Sequence, residues 1–591
     1  MAPGPTPRPP DLRRAEAARR GGRLAEAEAI YRARLVEAPD DPRALHGLAI
    51  VALQTGHPGP AAGLLQRAAA RGATADLLVD LGLALGLVGD RASAIAAELR
   101  AVELDPRHAQ ARYNLACDLQ AENRLAEAIA QYRHATRLAP GHVDAWNNLA
   151  QALVAAGEIA EGLAAFDRAE RLAPADAALA GNRLLALHYD PGRSPAAIAA
   201  EHRRWGERHV RPAPPLRHLN PPDPDRPLRI GFVSPDFCRH PIGWFVTGPL
   251  AHRDRARFHV TAYSSRRAED DLTAAIRGLV DRWRPVAGLD DGALAAQVRS
   301  DGIDILVDLA GHTMGNRLGA FARRPAPVQA TWLGWIDTTG HPAIDWCIAD
   351  RIEAPPGEED RFTERVIRLE GGAMCYAPPA DAPATVAPPL TRGAAPTFGC
   401  FNNLSKVNAR VVALWARLLA AVPAARLLLK SKALGDPAVA GAMAARFAAH
   451  GIDGDRLILE GRSPHGEMLA RYGDVDVALD PFPYSGGLTT VEALWMGVPV
   501  VTLAGDRMVA RQTAGFLDTL GRTEWIAPSG DAYVATAAAL VADRAGLSAA
   551  RAGQRARMAA TPLVDGARFT PMLEAAFRAM WQDWCRRQAP G

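Results

Sequence analysis

A spacing of 34 residues recurs through the first part of the chain and constrains its fold more than any single motif does. The segment from residue 143 holds Trp146, Leu149, Ala150, Gly157, Gly162, Phe166, Ala169 and Pro174. One period earlier stand Leu115, Ala116, Ala128, Tyr132, Ala135 and Pro140, and one before that Leu81, Gly82, Ala94, Ala101 and Pro106. A unit one residue shorter keeps Leu48, Ala49, Gly56, Ala61, Leu65 and Ala68 without the closing proline; a degraded first unit keeps Gly22, Ala27, Tyr31 and Pro39. Small residues at fixed positions let two antiparallel helices approach, large ones fill the neighbouring pair, and proline ends the second helix. No such unit buries its apolar face alone, so the units have to stack.

This is the spacing of a tetratricopeptide unit, and it predicts about five helix pairs over residues 8–176, with a compact helical bundle as the alternative. A second register lies inside it. Asn114, Asn148 and Asn182 recur 34 residues apart, although asparagine is a poor residue for a helix interior. Amides in register can bind the backbone of an extended acceptor peptide; alternatively they bridge adjacent helices or face water. A homodimer through the repeats is also open.

Residues 177–226 read as helical (LLALHY, AAIAAEHRRW) and then as a stiff proline-rich connector, RPAPPLRHLNPPDPDRP. Beyond it short apolar runs alternate with helical segments, as in parallel α/β units. LRIGFVS, FHVTAYS, DILVDLA and VQATWLG predict one Rossmann-like domain over 227–380. TFGCFNN, ARLLLK, RLILEG, DVALDPF and VPVVTLAG predict a second over 396–588. Two such units leave a cleft, and ligands bind beyond the carboxyl ends of their strands.

Composition removes several classes of function. Lys plus Arg is 68 against 65 for Asp plus Glu, a net charge of +3, which is not the basic surface of sequence-blind nucleic-acid binding. Six scattered cysteines form no CxxC pair or zinc-ligand cluster, so a reducing compartment is expected. With no uncharged apolar run of about 18 residues, a soluble cytoplasmic protein without a membrane span is expected. Only three basic residues are lysine, Lys406, Lys430 and Lys432, all within 27 positions. Either a bias toward arginine left them there, or a compact ammonium does something a guanidinium cannot.

Neither α/β unit carries a GxGxxG or GxxxxGK[ST] after its first strand, which disfavours dinucleotide dehydrogenases and P-loop enzymes. The segment DPFPYSGGLTTVEALWMGVPVV ends a strand at Asp480, turns through Ser485, Gly486 and Gly487, and opens a helix at Thr489 and Thr490. Free amides and two hydroxyls at a helix start suit a diphosphate, and Glu492 is placed for ribose hydroxyls; an ordinary capped glycine turn is the alternative. Lys406 and Asn403, after the first strand of this unit, add charge and donors. In the other unit His240, Asp308 and His312 lie just beyond strands and are candidates for proton transfer.

With its repeat array and the motifs DFCRHP, DLAGHT, RPAPVQATWLGWIDTTG, CFNNLSK, DPFPYSGGLTT and EALWMGVPVVTL, the chain resembles the O-linked N-acetylglucosamine transferase and SPINDLY family of glycosyltransferases over nearly its whole length. The resemblance implies a GT-B fold after a repeat superhelix, and a nucleotide-sugar donor held mainly by the second α/β unit. It also implies inverting transfer to Ser or Thr hydroxyls of proteins, with no metal or other cofactor, and acceptor guidance by the superhelix. By position Lys406 matches the lysine on the donor diphosphate, and Asn403 a glutamine of the animal enzymes. Thr489 and Glu492 match phosphate- and ribose-binding positions, and His240 the histidine of the first catalytic motif. Arg462 to His465, including Ser463, fall in the loop facing the nucleobase. Gly487, Leu488 and Thr489 depart from the histidine and two threonines of the animal enzymes and are closer to SPINDLY. Because plant SPINDLY uses GDP-fucose, the donor is open between UDP- and GDP-sugars. The lack of an insertion between the α/β units resembles bacterial members.

In a single inverting displacement, negative charge grows on the departing diphosphate, where Lys406 and the helix end are placed to stabilise it. The base is open among His240, Asp308, His312 and the donor phosphate. DVD at 474–476 enters a strand and reads as structural. Two other readings are a transferase of this fold acting on a non-protein or different side-chain acceptor, with the repeats as a docking platform, and an inactive binding protein.

Overall fold

The computed structural model describes residues 11–211 and 217–588. Residues 8–10, where the predicted repeat region begins, and 212–216 of the proline-rich connector lie outside the described residues. The chain divides into two compact units, Met1–Ala156 and Gly157–Gly591.

The described part of the first unit is a run of nine helices, from Leu12–Arg20 to Val143–Ala155. The first helix of each pair starts on a side-chain cap: Asp11, Asp41, Thr74, His108 and His142 each accept a first-turn amide, satisfying a donor the helix cannot. The turns inside the pairs need a left-handed residue, supplied by Gly22 (φ 74°), Gly56 (79°), Gly89 (88°) and Asn123 (61°). Ala27, Ala61, Ala94 and Ala128 are fully buried. A Cβ at Gly47 would lie 2.3 Å from the Tyr31 ring, and one at Gly82 2.6 Å from Glu98 Cγ, so the repeat's small residues are set by helix contact.

Asn114 and Asn148 are both engaged within this unit. Asn114 Oδ1 accepts from Gln110 on its own helix at 2.7 Å. Asn148 Nδ2 donates to Tyr113 Oη at 3.2 Å, on the helix Ala109–Ala121. At Asn148, then, bridging of neighbouring helices accounts for the amide without a bound peptide.

The second unit opens with three helices, Ile159–Leu172, Ala177–Leu187 and Pro195–His209; Asn182 is half-buried on the second. Two all-parallel sheets follow. The first contains β1 (Leu228–Ser234), β2 (Phe258–Ser264), β3 (Arg282–Pro285), β4 (Ile305–Asp308), β5 (Val328–Trp332), β6 (Trp346–Asp350) and β7 (Arg365–Leu369), in the order β3-β2-β1-β4-β5-β6-β7. The second contains β8 (Thr397–Cys400), β9 (Arg426–Lys430), β10 (Leu457–Glu460), β11 (Val477–Leu479), β12 (Val500–Leu503) and β13 (Ile526–Ala527), in the order β10-β9-β8-β11-β12-β13. Strand order reverses between β1 and β4 and between β8 and β11, and crevices open at such switch points.

The two sheet domains do not split at one place in the sequence. The helix Gly566–Gln588 returns to the first: Arg578 donates to the carbonyls of Pro224 and Arg226, Trp581 to that of Asp223, and Asp583 pairs with Arg365. The predicted limit of 396–588 for the second domain therefore takes in a helix that packs on the first. The helix Pro195–His209 also docks there: Gly206 lies so near that a Cβ would sit 1.9 Å from the Gly340 carbonyl oxygen.

Glu98 gives the repeats a pH dependence. It is 1 % exposed, its Oε2 has no partner among the described residues, and burial, with Asp118 nearby, pushes its carboxyl up to about 8 from 4.5. Below 4.5 it is protonated folded and unfolded alike. As pH rises toward 8 only the unfolded chain gains by ionising, so stability is lost at up to roughly 1.4 kcal/mol per unit. Glu98→Gln should flatten this loss between pH 4.5 and 8 in thermal melts of the repeat transition; equal slopes in both proteins would refute it.

Candidate active site

The residues expected to hold a nucleotide-sugar donor follow the two strands that flank the switch point of the second sheet. Beyond β8 the chain runs through Asn402 into the short turn Leu404–Lys406. Beyond β11 it passes Asp480 and the 481–487 turn into the helix Leu488–Trp495, with Gly487 at its N-cap. Lys406 Nζ donates to Asn402 Oδ1 at 3.2 Å and to the Ser485 carbonyl at 2.8 Å, and lies 4.3 Å from the Tyr484 ring centroid. Thr489 Oγ1 donates to the same Asn402 oxygen at 2.9 Å. One amide oxygen thus gathers an ammonium and a hydroxyl at a helix start, whose first-turn amides have no intrahelical acceptor. Burial depresses the Lys406 ammonium to about 8, against the pull of Asp480 and Cys400.

The other predicted residues of this region divide by what they touch. Gly486 is buried, its amide donates to Asp480 Oδ1 at 2.6 Å, and a Cβ there would lie 2.1 Å from Thr490 Oγ1. Thr490 is 3 % exposed and meets Thr513 Oγ1 at 3.0 Å. Both therefore lock the turn instead of offering donors to a ligand, and of the two threonines Thr489 carries the accessible hydroxyl. Gly487 is half-buried at the helix start. Asn403, expected beside the lysine, is exposed; the amide that joins Lys406 is that of its neighbour Asn402. Glu492 is 1 % exposed and bonds His465 Nε2 at 2.7 Å. His465 lies 5.5 Å from the Trp244 ring of the first sheet domain, so this contact crosses the cleft. Ser463 precedes it, its Oγ buried without a partner among the described residues. Lys430 pairs with Glu460 at 3.2 Å, and Asp476 accepts from the Leu390 and Thr397 amides. Both hold the sheet.

The base candidates separate just as clearly. His240 follows β1, caps the helix Pro241–His252 through Nδ1, lies 3.8 Å from Asp236 Oδ2, and keeps 43 % of its side chain exposed. Burial holds its imidazole below the usual range, opposed by Asp236. Asp308 is 1 % exposed and accepts from the Ala310 and Gly311 amides and from Thr331 Oγ1, so it braces the loop beyond β4. Burial raises it to about 6. His312 is 3 % exposed, its Nε2 2.7 Å from the Thr339 carbonyl and its ring against Trp205 and Trp335 at 4.3 and 4.8 Å. It belongs to the packing beneath the helix Pro195–His209. Neither placement suits the proton transfer expected of Asp308 and His312.

A lysine depressed by burial sets a sign. Below pH 8 it carries the charge a diphosphate needs, and above it the charge is lost. Nucleoside diphosphate affinity should fall about tenfold between pH 7 and 9 in calorimetric titrations, and Lys406→Met should abolish the slope. A flat wild-type profile would contradict this.

The model of glycosyl transferase family 41 matches residues 196–372 and 392–573, more than half of the chain, and a tetratricopeptide repeat model matches residues 119–197. A protein of Petunia hybrida described as a probable UDP-N-acetylglucosamine–peptide N-acetylglucosaminyltransferase SPINDLY is 39% identical over 427 residues, 70% of this chain and 45% of that protein. Its counterpart in Solanum lycopersicum is 38% identical over the same shares. The chain thus spans about half the length of these curated relatives. A solved structure of a lysine-to-methionine mutant of the Thermobaculum terrenum O-GlcNAc transferase superposes with a TM-score of 0.82 at 37% identity, covering 87% of this chain and 98% of that one. The chain belongs to glycosyl transferase family 41.

Proposed function

We propose that the chain is an inverting, metal-independent glycosyltransferase that moves a sugar from a nucleotide-sugar donor to Ser or Thr hydroxyls of protein acceptors. The observation that carries this is the junction of Lys406, Asn402 and Thr489 at the start of the helix Leu488–Trp495. As the acceptor hydroxyl attacks the anomeric carbon, the bond to the diphosphate breaks and negative charge grows on it. An ammonium and oriented amides meet that charge without reorganising, and so favour the transition state over the ground state.

Around that centre, His465 and Glu492 would face the nucleoside, and Ser463 the base. His240 is the base candidate best supported by its exposure and its carboxylate neighbour. The family resemblance supports acceptor recognition by the repeats. The descriptions of the relatives support N-acetylglucosamine from a UDP donor; the Gly487, Leu488, Thr489 turn keeps a GDP-linked sugar such as fucose in the same test. The direct connection between the two sheet domains supports a bacterial type of member. Six free cysteines and, among the described residues, no helix long and apolar enough to cross a membrane support a cytoplasmic site of action.

Lys406→Ala should cut transfer to protein acceptors by about 10²–10³-fold with an unchanged melting profile, read by intact mass of acceptors after incubation with UDP- and GDP-sugars in the presence of chelator. Transfer within about threefold of wild type, or activity abolished in the unsubstituted enzyme by the chelator, would overturn the proposal.

A further inference from the structure

The end of the helix Ala177–Leu187 reaches the donor pocket through an aromatic contact that none of the sequence motifs includes. Tyr189, two residues past that helix and 8 % exposed, stacks on Tyr484 with ring centroids 4.9 Å apart and planes 15° from parallel. Lys406 Nζ lies over the same Tyr484 ring, 4.3 Å from its centroid, so Tyr484 meets both the Tyr189 ring and the ammonium.

The same segment is fastened a second time. Arg507, 4 % exposed, donates to the carbonyls of Asp190 and Arg193 at 3.5 and 2.5 Å. The loop that carries Arg507 also holds the donor turn: the Ser485 amide and hydroxyl donate to the Val509 carbonyl at 3.1 and 2.6 Å. Residues 189–193 therefore strap the second sheet domain at the turn whose Ser485 carbonyl accepts from Lys406. Midway along the helix Ala177–Leu187, Gly181 lies against His312 of the first sheet domain.

We propose that Tyr189 is a positioning residue for the donor site: by stacking on Tyr484 it holds the Lys406 ammonium at the carboxyl ends of β8 and β11 and keeps water from it. The physical reason is that a cation over an aromatic face gains most when the ring is fixed and dry. A ring free to turn out of the pocket would release the ammonium to solvent. This rests on the reading of Lys406 as the diphosphate-binding group. The groups facing Lys406 are Asp480, Cys400, Tyr484, the Asn402 amide and the Ser485 carbonyl; Ser405 is the polar neighbour of the Tyr189 hydroxyl.

The chain's three lysines make the test direct. Protein labelled with ¹³C-lysine gives one side-chain signal each for Lys406, Lys430 and Lys432, and Lys406→Met identifies the first. Tyr189→Ala should move the Lys406 titration midpoint up from about 8 by roughly one unit toward the ordinary lysine value, because desolvation is the largest influence on this ammonium and its relief outweighs the cation–π attraction lost with the fixed ring. The Lys430 and Lys432 signals should stay put and report a folded sheet. Tyr189→Phe should restore the wild-type midpoint, since the ring and not the hydroxyl does the stacking. Tyr189→Leu, which fills the volume without a stack, carries the same expectation as alanine if that variant does not fold. A Lys406 midpoint unmoved in folded Tyr189→Ala or Tyr189→Leu protein, or one that Tyr189→Phe shifts equally, would overturn the proposal. The titration needs no sugar and no acceptor, so it can fail while sugar transfer is observed, or succeed where none is.

Discussion

One carbonyl oxygen, Asn402 Oδ1, accepts from both the Lys406 ammonium and the Thr489 hydroxyl, and the organisation of the second sheet domain serves that meeting. The two donors come from different strand ends, after β8 and after β11, so they meet only because those strands are neighbours where the sheet order reverses. The turn between β11 and its helix is made stiff from beneath: Asp480 holds the Gly486 amide and the Thr502 hydroxyl, and Thr513 holds the Gly486 carbonyl. A carboxylate buried this deep is raised to about 6 by desolvation, and those donors are what keep its charge usable. The ammonium above it is depressed for the same reason. Lost hydration is replaced by fixed dipoles, which is the condition under which a charge acts most strongly on a growing charge in a substrate.

The first sheet domain presents the complementary wall. His240 sits at the end of β1, and Trp244, one turn further on, reaches His465 across the cleft. The helix Gly566–Gln588 runs back to the first domain, and the helix Ala177–Leu187 touches the first domain through Gly181 and leads at its end into Tyr189 and the second. The cleft is therefore bounded by two sheets tied together twice by segments distant in sequence. Such ties restrict the relative movement of the lobes and make the position of Lys406 depend on helices outside both sheets.

Much of this was legible in the sequence, for identifiable reasons. The repeat spacing predicts the helix pairs because small residues, turn glycines and prolines are each demanded by geometry; Asn123 replaces glycine in one turn because asparagine tolerates a left-handed backbone. The runs that became β1, β2, β4, β5 and β8 to β12 each hold a stretch of consecutive apolar residues, as strands covered on both faces must, with most of their charge near the ends, as at Arg229 in β1 and Arg426 and Lys430 in β9. Four strands have no such run among those expected: β3 is RWRP and β7 is RVIRL, both charged, β13 has two residues, and β6, WCIAD, is a short apolar run with no flanking helical pattern to mark it. At the site, Lys406, Thr489 and Glu492 stood out through residue type and position. Asn402 did not, since two adjacent asparagines look alike until the backbone decides which faces inward. Thr490, Gly486, Asp308 and His312 have the chemistry of a site and the burial of a core, and sequence carries the first without the second. Tyr189 and Tyr484 are 295 positions apart, and their stack becomes visible only in the folded chain.

The central claim is that a leaving diphosphate is received by an ammonium and a helix end. A crystal structure of the chain with a nucleoside diphosphate tests it most directly. The account predicts terminal phosphate oxygens within about 3 Å of Lys406 Nζ, Thr489 Oγ1 and the first amides of the helix Leu488–Trp495, with the nucleoside toward His465. A diphosphate bound away from that junction, or held there by a divalent cation in place of Lys406, would contradict it.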